Sequence, residues 1–311
     1  MTCSSKRALA STVLNPALLK KSLQRLTFGL LTGSLLLSNA AFAETITPAQ
    51  VDGVYVFGDS LVDTGNIYQI SSQQQPLSPP YYQGRFSNGP LWVEDLLANL
   101  SISLSPSTLG GTDFAVGGAT TGQLGVLLQI RKFLTSAPTI TPNTLYFVTA
   151  GGNDFLNNAS LNPKIPVNNL VTAVSSLYAY GARNVVVTNL PDLGKIPEVN
   201  SDPQESAALS AVTIEFNRKL KKALAELEVK RPGLNVIWID TYSLLNSIMA
   251  NPTPYGITNI KDACVEGTYT EPTTPCENPD QYLFWDTVHP TRATGQVFAN
   301  FAYQRIFGNR P

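Results

Sequence analysis

From about residue 51 onward, apolar positions follow two alternating patterns. Short runs of β-branched and aromatic residues predict strands at Gly53–Phe57, Asp113–Val116, Thr144–Ala150, Asn184–Asn189 and Asn235–Asp240. Between them, apolar residues at three-to-four spacing predict helices at Pro90–Leu100, Gln123–Leu134, Val167–Tyr180, Glu205–Lys230 and Arg292–Phe307. The longest of these lines up Leu209, Val212, Phe216, Leu220, Leu224 and Leu227 on one face. Pro90 stands at a first helical position, where proline is tolerated. Ser71–Pro80, made of Ser, Gln, Pro and one Leu, predicts a surface loop, and a long loop is expected from Asn251 to Phe284.

Short apolar strands separated by helices imply a parallel sheet covered on both faces. Three of the strands run directly into glycine-rich polar clusters: Gly58-Asp59-Ser60, Gly117-Gly118 and Gly151-Gly152-Asn153-Asp154. In open parallel sheets the carboxyl ends of the strands form the ligand crevice. Ser60, Gly118 and Asn153 are therefore expected to meet at one edge.

Composition narrows the classes. Of 311 residues, 43% are hydrophobic and only 14% charged, against roughly 25% charged in typical soluble proteins. Lys6, Arg7, Lys20, Lys21 and Arg25 precede an apolar run, Leu26–Leu37, and then Ala41-Phe42-Ala43. This order predicts a secretory signal over residues 1–43, with a single domain over 44–311. The run is short for a bilayer span, which needs about 20 apolar residues, so no stable membrane span is expected after cleavage. Without the signal the chain holds 16 Lys and Arg against 22 Asp and Glu, a net charge of −6. That excess argues against nucleic acid, which needs clustered basic residues. Cys3 leaves with the signal, and Cys264 and Cys276 are expected to pair, as two cysteines of an exported domain usually do. The destination is secreted or periplasmic, and the expected state a monomer.

Candidate chemistry starts from the base. The chain has one histidine, His289, within Trp285-Asp286-Thr287-Val288-His289-Pro290-Thr291. Pro290 disfavours helical geometry at His289. Asp286, three residues earlier, is then able to fold back onto the imidazole Nδ1 and leave Nε2 for a hydroxyl. Ser60 follows a strand ending in Gly58, and a plainer role is open: Asp59 or Ser60 capping the next helix. The Gly-x-Ser-x-Gly elbow is absent, since Val62 occupies the place of its second glycine.

Taken together, five segments resemble the GDSL esterase/lipase family of the SGNH-hydrolase superfamily. Phe57-Gly58-Asp59-Ser60-Leu61-Val62-Asp63-Thr64-Gly65-Asn66 is similar to its first block. Gly84-Arg85-Phe86-Ser87-Asn88-Gly89, with Trp92 and Glu94, is similar to a block of its larger members. Ala115–Ala119 resembles the glycine block, Gly151–Asp154 the asparagine block, and Asp286–Pro290 the final Asp-x-x-His-Pro block. Asp113 stands where relatives often carry Asn. The resemblance implies a three-layer α/β/α sandwich around a mostly parallel sheet, the flavodoxin-like SGNH hydrolase fold. It also implies Ser60 as nucleophile, His289 as base and Asp286 as its orienting carboxylate. Oxyanion donors would be the Ser60 N–H, the Gly118 N–H and the Asn153 side chain, with Gly117 the competing glycine. No cofactor or metal is implied.

The reading expected from this set is a two-step acyl transfer on a small-molecule or lipid ester, without nucleic acid. Hydrolysis of a carbohydrate O-acetyl group and transfer to an alcohol are alternatives at the same site. A rival is metal-dependent phosphoester hydrolysis by Asp59, Asp63, Asp154, Asp286 and His289, all hard ligands; a non-catalytic binding protein is another. Tyr68, Tyr81, Tyr82, Tyr255, Tyr269 and Tyr282 are candidates for an acyl groove or a sugar platform, or for ordinary loop packing.

Overall fold

Val54 and Val56 point to one face of the first strand, β1 (Gly53–Gly58), and Tyr55 and Phe57 to the other. Both faces are apolar because both are covered. The same division runs through β2 (Thr144–Thr149), β3 (Asn184–Thr188) and β4 (Asn235–Ile239). A computed structural model describes residues 46–136, 138–157 and 161–308. These lie in one compact unit, Ala41–Pro311; the signal predicted over residues 1–43 is outside the described residues.

The four strands pair in parallel in the order β1-β2-β3-β4. Between β1 and β2 the chain forms α1 (Asn66–Ile70), α2 (Trp92–Ala98) and α3 (Val126–Thr135). After β2 come α4 (Gly152–Leu156) and α5 (Lys164–Ala179), and after β3 comes α6 (Pro203–Lys230). After β4 come α7 (Thr241–Ala250), a small pair β5 (Asn259–Ala263) and β6 (Tyr282–Phe284), and α8 (Arg292–Phe307).

Phe57, Tyr146, Val148, Val185 and Val187 pack against α3, α5, α6 and α7 on one face. Val54, Val56, Leu145, Phe147, Val186 and Ile237 pack against α2 and α8 on the other. Burying each such side chain contributes roughly 1.5–3 kcal/mol, so the sheet is held from both sides, as the apolar runs imply.

Several boundaries differ from the sequence reading. Asp113–Val116 is not a regular strand. It lies along the free edge of β1, with Val56 N–H donating to Thr112 O and Phe114 N–H to Val56 O. The Val116 N–H still donates to Gly58 O in the same register, but the Gly58 N–H goes to the Gln129 side chain, which interrupts the ladder. Pro90 lies outside α2, whose cap is Leu91 with Glu94 closing back onto the Leu91 N–H. Asp240 belongs to the cap of α7 rather than to β4, because its carboxylate accepts the Ser243 N–H. The segment from Asn251 to Phe284 is not all loop: β5 and β6 lie within it, and Cys264 and Cys276 form a disulfide between them.

The chain leaves β1 for the free edge at Asp113 and then returns across β1 to form β2. The end of β1 is thus the switch point, where such sheets open a crevice. Ser60 stands there.

Candidate active site

At the end of β1, the Asp59 N–H donates to Thr149 O of the neighbouring strand. A side chain at Gly58 would meet that same carbonyl at 2.1 Å. Gly58 is needed for this close approach and not for an unusual turn, since its φ is not positive. The buried Gln129 amide pins both sides of the Gly58 peptide, accepting from its N–H and donating to its O, each at 2.8 Å. Asp59 accepts the Leu61 N–H, and the next helix starts only at Asn66. Ser60 therefore caps no helix; its hydroxyl is turned to the crevice.

The rest of the first block holds the glycine segment. Asp63 accepts N–H bonds from Gly65, Asn66, Ile67 and Gly117. Thr64 donates its N–H and hydroxyl to Asp113, and the Asn66 amide donates to Asp113 O and Ala115 O. Asp113 is accordingly a buried node between two blocks.

The consequence falls on the two candidate glycines. The Gly117 N–H is spent on Asp63 at 2.7 Å. Gly118 sits at φ 78°, in a turn closed by Ala119 N–H to Val116 O, and is exposed. A type II turn requires such a φ at that position. Among the described residues, neither the Gly118 nor the Ser60 N–H donates to another group. Asn153, in the first turn of α4, donates one amide hydrogen to Ala119 O at 3.1 Å, which joins the glycine turn to the end of β2.

On the other side of Ser60, His289 Nε2 lies 2.7 Å from Ser60 Oγ. Its Nδ1 lies 2.9 and 2.8 Å from the two oxygens of Asp286. Asp286 Oδ1 also accepts the Val288 and His289 N–H, which folds the chain back over three residues. All three groups are buried.

The Gly84–Gly89 segment straps this relay down. Ser87 Oγ donates to Pro290 O, and the Arg292 N–H donates to Asn88. The Phe86 ring lies 5.0 Å from the imidazole, with Tyr269 at 5.8 Å. Arg85 forks onto Glu94, which ties the strap to α2.

Residues 54–301 match the family of GDSL-like lipases and acylhydrolases. This chain belongs to that family. It is 28% identical to a GDSL esterase/lipase of Arabidopsis thaliana over 81% of this chain and 82% of the relative. It is 30% identical to the thermolabile hemolysin of Vibrio parahaemolyticus over 81% of this chain, spanning 63% of the hemolysin. A solved lipolytic GDSL protein from Veillonella parvula aligns with a TM-score of 0.48 and 18% identity, over 81% of this chain and 96% of that one. The chain is accordingly a carboxylic ester hydrolase of the GDSL type.

One group of this GDSL site was not legible as such. The Tyr81 hydroxyl, 205 positions from Asp286, donates to Asp286 Oδ2 at 2.9 Å. Its aromatic character was visible, but no local spacing links it to a carboxylate so far along the chain. Gln129 is a second such residue, hidden in a helical pattern. None of the six tyrosines lines the cavity beside Ser60. Tyr81 and Tyr269 instead pack with Trp285 and the disulfide around the relay.

Burial sets the electrostatics. It pushes Asp59 up to about 7, partly opposed by the Leu61 N–H and the His289 charge. Burial likewise raises Asp113 well above the usual carboxyl range, with Asp63 adding to it. Burial also acts on Asp286, but His289 and two backbone N–H groups outweigh it and hold this carboxyl below the ordinary value. Tyr81 is kept protonated by burial and by the Asp286 charge. A negative Asp286 next to Nδ1 is the arrangement that stabilises an imidazolium when Nε2 takes a proton. Of the four acids and the histidine named above as possible metal ligands, Asp59, Asp63 and Asp154 each accept from different N–H or hydroxyl groups, and Asp286 pairs with His289. No group of three metal-ligating side chains occurs among the described residues.

Proposed function

We propose that Ser60 cleaves carboxylic esters by two-step acyl transfer, with His289 as base and Asp286 orienting it. The observation that carries this is the 2.7 Å approach of His289 Nε2 to Ser60 Oγ, with Asp286 on Nδ1. His289 takes the hydroxyl proton as Oγ bonds to the ester carbon, and the carbonyl π pair moves onto oxygen. That oxyanion faces the Ser60 and Gly118 N–H groups and the second amide hydrogen of Asn153. Collapse of the intermediate breaks the ester C–O bond, and His289 gives its proton to the leaving alcohol. Water, deprotonated by His289, then frees the acid and restores Ser60. Lipid-type acyl esters are the substrates this reading favours, since the wall of the crevice beside Ser60 is mostly apolar.

Replacement tests the assignment. Ser60→Ala should abolish turnover of 4-nitrophenyl esters, and Asn153→Ala should lower kcat by about 10²–10³. A serine-directed phosphonate should add its mass to the peptide containing Ser60. Undiminished turnover by purified Ser60→Ala protein overturns the mechanism.

Export is part of the same reading, supported by the basic and apolar amino-terminal pattern and by the Cys264–Cys276 disulfide. Among the described residues no helix is long and apolar enough to cross a membrane. The exported protein should begin at Glu44 on amino-terminal sequencing; full-length protein retained in the cytoplasm would contradict this.

A further inference from the structure

Gly117 is where the glycine segment meets the aromatic side chains around the base. Its φ is not positive, so its backbone is open to any L residue, and its N–H is held by Asp63 at 2.7 Å. What excludes a side chain there is space. A Cβ on Gly117 would lie 2.5 Å from Phe86 Cε2, 2.8 Å from Phe86 Cζ and 3.0 Å from Ile67 Cγ2. The edge of the Phe86 ring therefore rests on the bare Cα. The centroid of the same ring lies 5.0 Å from that of the His289 imidazole, with the two planes 33° apart.

Phe86 has nowhere to retreat. It is 3% exposed, and Tyr269 at 5.0 Å and Tyr81 at 6.4 Å meet it edge-on. Its backbone is fixed by its neighbours: the Tyr82 N–H donates to Ser87 O, and Ser87 Oγ donates to Pro290 O. Interiors are close-packed, so a push on one side of a buried ring is passed to whatever lies on the other.

We infer that Phe86 is a wedge between the glycine turn and the base, a positioning residue that sets the Gly118 N–H and His289 relative to each other. The inference goes beyond the hydrolase reading but rests on it, because both groups are placed for Ser60 chemistry. The Gly118 N–H lies in the peptide plane that starts at the Gly117 Cα. Asp63 holds the amide on one side of that Cα, and Phe86 packs on its open face. Hydrogen bonds through Nδ1 and Nε2 act along the imidazole plane, so resistance to tilting has to come from packing on its face. One ring supplies both restraints. Misplacing reacting groups by about 1 Å costs on the order of 10²-fold in rate.

The test is a double-mutant cycle of Gly117→Ala, Phe86→Leu and the two combined, read by 4-nitrophenyl butyrate turnover and by NMR of the imidazole. The chain has one histidine, so its ring signals are unambiguous. We expect Gly117→Ala to lower kcat about 10²-fold and Phe86→Leu about tenfold, each with KM within about twofold of wild type. Leucine has no atoms at the Cε2 and Cζ positions, so the double variant should be no slower than Phe86→Leu alone. Gly117→Ala should shift the imidazole signals, and should leave them unmoved in the Phe86→Leu background. Melting curves check folding, and Phe86→Leu carries the kcat reading by itself if Gly117→Ala does not fold. Additive losses, imidazole signals indifferent to Gly117→Ala, or an unchanged kcat in Phe86→Leu overturn the wedge and leave Ser60-dependent hydrolysis standing. Coupled imidazole signals in a protein whose Ser60→Ala variant turns over esters undiminished keep the wedge and overturn the hydrolase reading.

Discussion

Asp286 carries four hydrogen-bonding demands at once: two backbone N–H groups, His289 Nδ1 and the Tyr81 hydroxyl. Full occupation of a buried carboxylate holds it in one orientation, and the imidazole with it. Tyr81→Phe removes one donor and leaves an acceptor site in a dry environment, at a cost of about 1–3 kcal/mol. Because the lost bond positions the base, we expect kcat to fall by roughly tenfold, the rate equivalent of about 1.4 kcal/mol, with KM nearly unchanged. A lowered melting temperature with kcat intact would reduce Tyr81 to a packing residue.

Among the elements, the β5–β6 pair and its disulfide matter most for the relay. The Val265 N–H donates to Trp285 O, and the Cys276 N–H donates to Cys264 O, so the cystine loop is bonded to the residue before Asp286. Cys264, Val265 and Trp285 share a small core with Tyr81. Opening a loop of this size costs about 3 kcal/mol in the chain-entropy account. In the Cys264→Ser, Cys276→Ser double variant we expect ester turnover to be lost at temperatures where far-UV circular dichroism is still native, since the main sheet does not depend on this loop. Activity and ellipticity melting together would show that the loop is not a separate support.

The whole molecule balances buried acids of opposite tendency. Asp59 is pushed up to about 7, so the folded protein keeps a proton that the unfolded chain releases near pH 4. Its contribution to stability is present below that value and fades as pH rises towards about 7. Asp286 acts the other way: held below the ordinary range, it stabilises above pH 4 and loses this as pH falls through its lowered value. The melting temperature should therefore peak on the acid side of neutrality. Asp59→Asn should flatten its decline between about pH 4 and about 7, and an unchanged slope in that variant would show that Asp59 is not its source.

Sequence alone determined the elements whose cause is local. Periodicity marks β1 to β4 and the long helices, because alternation and three-to-four spacing follow from the chain's own geometry. Motif order brought Ser60, Asn153, Asp286 and His289 forward as candidates, and the chain has no second histidine to compete. Tertiary structure decided what depends on contacts between distant segments. Asp63 takes the Gly117 N–H, so Gly118 is the glycine with a free donor; Asp113 bridges to Val56 at the sheet edge and holds Thr64, while Gln129 takes the Gly58 N–H that would have continued the ladder. Tyr81 meets Asp286, and the cavity beside Ser60 assembles from the ends of β1 to β4 and from α2, α4, α7 and α8, only once the sheet has formed, because no pattern along the chain encodes a distance across it.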